Sequence, residues 1–301
     1  MTTTNLHPSF EDRSPNLGTT KMTALTSQHH ATVSKPLSFI GVFKSECIKA
    51  FSLRSIMWSI VISVFLGVSM GGIMALSSSY TADASVDEYS TYLTTVAGFP
   101  TVFLALVFGA LGVFFFSSEY ASGMILSTLT ATPKRGLLIA AKSAVVAVVA
   151  LVVAFVVVLM SAVLSVVFLP EATEALFTVR TLSGLGGTIF FLVAVALLSF
   201  GIAGILRSTA GSITTVVGFI FIAPTIFQLA LAVSHWDWLE YVLIVLPQYL
   251  GNVLGHGVIQ AAPSAEDAIS LGYGGAFAVM ALWVVIPMTI AAILFQKRDA
   301  K

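Results

Sequence analysis

The chain has 301 residues, 57% of them hydrophobic and 9% charged, with a mean hydropathy of +0.98 and a net charge of zero. That balance excludes an ordinary soluble globular domain, and the neutral charge gives no basis for a nucleic-acid partner. The expected main solvent is a lipid bilayer, whose core of roughly 30 Å needs about 20 mostly apolar helical residues per crossing.

Residues 1–36 are polar, rich in Ser, Thr and His, and without an apolar core; they predict a disordered cytoplasmic tail and not a signal peptide. Residues 37–301 are expected to form a single membrane domain. Between Pro36 and Arg54, the apolar residues Leu37, Ile40, Phe43, Cys47, Ile48 and Phe51 recur mostly three or four apart, with Lys44, Glu46 and Lys49 between them. This predicts an amphipathic helix resting in the inner membrane interface.

Six stretches free of Asp, Glu, Lys, Arg and His then follow, at 56–76, 99–116, 143–169, 182–206, 212–234 and 271–295, the second able to start as early as Tyr89. Each predicts a crossing helix. The connections sort by charge: thirteen of the fourteen Lys and Arg residues fall on one side, and only Arg180 joins nine acidic residues on the other. By the positive-inside rule the basic side is cytoplasmic, which puts both termini inside. Cys47 is the chain's one cysteine, so no intrachain disulfide is possible.

After the second span, the residues from Ser117 to Lys142 read as the longest cytoplasmic loop, with a short helix over Glu119–Thr130, Ser117 or Ser118 as its N-cap, and Pro133 as its limit. On the outer side, the residues from His235 to Ser270 include Trp236, Trp238 and an apolar run too short to cross, so helices dipping into the outer leaflet are expected. Gly67 and Gly71, Gly109 and Gly112, and Gly201 and Gly204 predict close helix contacts within one chain or between two copies. In the fifth span Gln228 is a candidate pathway residue, four residues past the intramembrane Pro224. A helix-to-helix hydrogen bond is its other reading. There is no HExxH, no Ser–His catalytic pairing, no metal cluster and no GxxxxGK[ST] phosphate loop, so neither an active site nor a cofactor is expected.

The loop after the second span carries Glu119, Tyr120, Gly123, Met124 and Ile125, then Leu129, Pro133, Lys134 and Arg135, and ends in Ala141 and Lys142. It resembles the corresponding loop in membrane subunits of type-2 ABC exporters, where E-Y-x-x-G-T-I, a leucine, P-x-R and A-K recur; Met124 stands in the place of the usual threonine. Glu46, Lys49, Arg54 and Ser55 look like that family's approach to its first span, Leu246 and Pro247 like the L-P of its outer re-entrant segment, and Lys297, Arg298, Asp299 and Ala300 like its terminal R-R-D-A. Together these places cover roughly residues 38 to 300.

The resemblance implies an all-α integral membrane permease of six spans in the plasma membrane, here a bacterial cytoplasmic membrane. It implies a coupling helix at about Glu119–Thr130 seated on a separate cytoplasmic ABC ATPase. Glu119, Tyr120, Gly123, Ile125, Leu129, Pro133 and Arg135 would be the coupling residues, and the partner in the bilayer would be a second copy of the chain or a paralogous permease. The rival expectations are an ion-driven secondary carrier, against which the charge-free spans argue, and a membrane anchor or immunity protein without transport.

Overall fold

The computed structural model describes residues 38–77, 84–121, 123–124, 134–234, 236–258 and 271–297. The expected tail at 1–36 and the terminal residues 298–301 lie outside them.

Ser38 has an extended backbone, and its hydroxyl accepts a hydrogen bond from Gly41 N at 3.2 Å, satisfying a free amide of the first turn of α1, Phe39–Ser52. Leu53 is extended and separates α1 from α2, Arg54–Ser77. A reciprocal capping box opens α3, Val86–Gly98: Glu88 N donates to Ser85 Oγ at 3.3 Å while Ser85 N donates to Glu88 Oε2 at 2.7 Å. Pro100 stands immediately before α4, Thr101–Ala121, where its missing N–H costs nothing. Next come α5, Arg135–Phe168, a 3₁₀ turn at Pro170–Ala175, and α6, Val179–Leu206, capped by Thr178. The chain continues through α7, Thr209–Val217, a π-helical turn at Gly218–Ile222, and α8, Ala223–Ser234. Two short helices, α9 at Trp238–Leu243 and α10 at Pro247–His256, precede α11, Tyr273–Lys297.

Every regular element among the described residues is helical, and six stretches are long and apolar enough to cross a membrane: Arg54–Ser77, Val86–Tyr120, Arg135–Phe168, Val179–Leu206, Thr209–Ser234 and Tyr273–Lys297. This is the architecture of a multi-pass membrane protein. The helices overrun the charge-free stretches that predict them. The second starts at Val86, ahead of Phe99, and the third starts at Arg135, ahead of Ser143, so Glu119 and Lys142 belong to helices and not to a loop. Ser117 and Ser118 are likewise interior to α4 and are not an N-cap.

In the fifth span, the backbone widens just ahead of Pro224. Ala223 N bonds to Gly218 O, five residues back, so the ladder shifts before the proline ring would meet the carbonyl four residues behind it.

The centre is α6, packed against α4, α5, α10 and α11. Close approach there requires glycine: a Cβ on Gly112 of α4 would lie 2.0 Å from Ala196 O of α6. The three predicted glycine pairs are used within the chain. Gly67 and Gly71 face Val157 and Ser161 of α5, Gly109 and Gly112 face Val216 and Ala196, and Gly201 and Gly204 face Pro287 and Ala291 of α11.

Helix α1 buries Val42, Glu46 and Ala50, one helical turn apart, while Phe39, Ile40, Ile48 and Phe51 stay exposed. The predicted helix is present, but a carboxylate lies on its buried face and much of its apolar surface points outward.

Candidate functional site

Glu46 on α1, Glu119 in the last turn of α4 and Lys142 in the third turn of α5 are 5%, 6% and 6% exposed. Charges so buried require partners, because losing hydration costs several kcal/mol per ion in order of magnitude, about what good pairing returns. Here Lys142 Nζ donates to Glu46 Oε2 at 2.6 Å and to Glu119 Oε1 at 2.9 Å. Lys49 Nζ, at the open edge, donates to Glu46 Oε1 at 2.9 Å and to Glu119 Oε1 at 3.2 Å. Two cations and two anions close a neutral ring across three helices.

Burial alone would raise the pKa of Glu46, but the charge of Lys142 and the hydrogen bonds from Lys142 and Lys49 outweigh it, holding the carboxyl below its ordinary range. Lys49 is shifted the other way: burial works against its charge, and Glu46 and Glu119 overcome that, raising its pKa. A pocket of about 120 Å³ adjoins the ring, and Met124 reaches its wall.

The next residue of α4 works on the opposite side. Tyr120 stacks on Phe116 with ring centroids 5.5 Å apart, and the Arg207 guanidinium lies 5.4 Å from the Tyr120 ring centre. Arg207 ends α6 in the left-handed conformation at φ 54°, and its Nη2 donates to Leu294 O of α11 at 3.3 Å. Arg135 Nη1 donates to Gln296 O at 3.4 Å, so two guanidinium groups sit on late carbonyls of α11. Glu119 therefore joins the end of α4 to α1 and α5, and Tyr120 joins it to α6 and α11.

Gly123 follows with φ 69° and donates its N–H to Tyr120 O at 3.3 Å. That left-handed glycine turns the chain just after α4, and residues 125–130 of the helix expected over Glu119–Thr130 lie outside the described residues. Ile125, Leu129 and Pro133, expected in the same segment, lie outside the described residues. Gly123 and Met124 are exposed, whereas Glu119, expected to face a partner, is turned inward onto Lys142. Glu46 and Lys49 stand out in the sequence only through their i, i+3 spacing and the family resemblance, and Glu119 through the loop motif; nothing local pairs Glu119 with them.

Away from this ring, the predicted pathway residue Gln228 lines a pocket of about 280 Å³ between α8, α9 and α10. Buried Pro224 closes one wall, and Glu240, Gln248, Tyr249 and Asn252 complete the polar lining. Asn252 also lines a neighbouring cleft of about 330 Å³ with Thr94, Thr95, Thr101 and His256. Sequence reading missed Gln248, Tyr249 and Asn252, which come from the short helix α10 outside the predicted spans. Among the described residues no group of three His, Cys, Asp or Glu side chains is placed to hold a metal ion.

A search of curated proteins finds no match. A family model described as a protein of unknown function, DUF2705, matches residues 60–300, starting after Glu46 and Lys49 and taking in Glu119, Lys142 and Gln228. The match spans most of the chain, which therefore belongs to the DUF2705 family.

Proposed function

We propose that this chain is the transmembrane subunit of an ATP-driven exporter of the type-2 ABC kind, working as a dimer with a separate ATPase. In this reading both termini face the cytoplasm of a bacterial cell, α1 lies in the inner interface, and α9 and α10 form an outer re-entrant element. The observation that carries the reading is the double anchorage of the last turn of α4. In sequence, the residues between Gly123 and Lys134 connect α4 to α5. A force applied there enters α4 and α5 directly, reaches α1 through the ion ring, and reaches α6 and α11 through Tyr120 and Arg207. The ordered E-Y-x-x-G, P-x-R and A-K pattern runs from Glu119 to Lys142 and brackets this same connection.

An ion-driven carrier would need a carboxylate at liberty to take up its ion. Glu46 and Glu119 are each bonded to two lysines, which favours a structural role for them.

The deciding experiment is purification of the full chain from its own membranes under mild conditions. An ATPase subunit is expected to accompany it, and export by the reconstituted complex is expected to stop on ATP depletion. Recovery of the chain without an ATPase, together with transport that persists without ATP, would falsify the reading. Gly123→Trp places a bulky ring at an exposed position for uncoupling the two subunits, and Gly123→Ala, which carries the same Cβ strain at φ 69° without the ring, is its control. Glu119→Arg would place a third cation in the ring and report on folding instead.

A further inference from the structure

Gln228, Gln248, Asn252 and Tyr249 bring three amides and a phenol into one pocket, and none of these side chains bonds to another group among the described residues. Gln228 and Asn252 are exposed on the single chain. Amides turned toward hydrocarbon are costly, so this face of a membrane protein is expected to meet water, a ligand or protein. The pocket is concave, with Leu231, Leu243 and Ile244 as an apolar wall beside the amides. That is the lining of a site for an amphipathic molecule.

The sign of its head group follows from the charges present. Amides accept and donate alike and set no preference. Glu240 is the one charged side chain in the lining, and it forms no ion pair or hydrogen bond among the described residues. The first turn of α10 contributes about half a positive charge, less than the full negative charge of the carboxylate. The Tyr249 ring adds a face that attracts cations.

From this lining we infer that the pocket between α8, α9 and α10 binds amphipathic cations, with an ammonium head held by Glu240 and the amide carbonyls and an apolar tail along Leu231, Leu243 and Ile244. The π-helical turn before Pro224 belongs to the same design, since it sets the rotation of α8 that turns Gln228 into the pocket. The inference deepens the exporter reading and rests on it only for calling such a molecule cargo.

The test is equilibrium dialysis of the full chain in nanodiscs at neutral pH, with empty nanodiscs as baseline. The probes are octylammonium, octanoate and octanol, which share an apolar tail and differ in head charge. Saturable binding of octylammonium above baseline is expected, weakened about tenfold or more by Glu240→Gln and several-fold by Gln228→Leu, because an ion pair is lost in the first and a single hydrogen bond to an uncharged carbonyl in the second. Octanoate or octanol binding as tightly as octylammonium, absence of saturable octylammonium binding, or Glu240→Gln leaving it unchanged would each overturn the inference. Glu240 is exposed, so its variant keeps the fold. Binding to the purified chain is independent of ATPase capture, so either proposal can fail while the other stands.

Discussion

Lys142 and Glu46 meet at 2.6 Å across 96 residues of sequence, fastening α1 to the bundle through a bond buried on both sides. Removing one partner leaves a buried charge short of a counter-ion. Lys142→Met is therefore expected to lower unfolding stability by about 3 kcal/mol. The exchange Glu46→Lys with Lys142→Glu should recover part of the loss, because the ring stays neutral. Denaturant or thermal unfolding in detergent of the parent chain, Glu46→Lys, Lys142→Glu and the double exchange gives the coupling, and a coupling near zero would show that the contact contributes nothing to stability.

Stability should be flat around neutral pH and fall at both extremes. The pKa of Glu46 is depressed in the folded chain, so its contribution is complete above the ordinary carboxylate range and disappears as pH falls through the lowered value. Lys49 is raised, so its contribution is complete below the ordinary lysine range and disappears as pH rises through the higher value. Unfolding midpoints across pH would show this, and Glu46→Gln should flatten the acid limb.

Gly186 and Gly187 are neighbours on α6 with opposite surroundings. A Cβ on Gly187 would stand 2.2 Å from Leu254 O of α10, while nothing lies within 4 Å of one on Gly186. Gly187→Ala is expected to cost about 2 kcal/mol or more, since backbone must move. Gly186→Ala should be neutral or stabilising by up to about 1 kcal/mol through helix propensity. Thermal melts of the two single variants decide the matter, and equal effects would contradict the α6–α10 contact.

At Arg207 the backbone conformation and the side-chain contacts can be separated. Both Arg207→Gly and Arg207→Ala lose the bond to Leu294 O and the packing on Tyr120, but only alanine keeps a Cβ at φ 54°. The glycine variant should be the more stable of the two by about 1 kcal/mol. The reverse order would show that α6 does not end in the left-handed conformation.

Charge-free length makes the six crossings legible without coordinates, because a bilayer admits only segments that satisfy their own backbone and hide few charges. The same reasoning cuts the second helix short at both ends and starts the third too late. Glu119 and Lys142 look like the first residues beyond a span, since a lone buried charge is costly, and the cost disappears only when Glu46 and Lys49 arrive from α1. Likewise Gln228 stands out as polar within an apolar run, whereas Gln248, Tyr249 and Asn252 look ordinary in segments too short to cross.

What the amino-acid order determines here is therefore which segments enter the membrane, through hydropathy that each segment carries by itself. What tertiary structure alone decides is where the charges go. Pairing Glu46 with Lys142 and gathering amides from α8 and α10 depend on groups far apart in the chain, and no local pattern records which of them will meet.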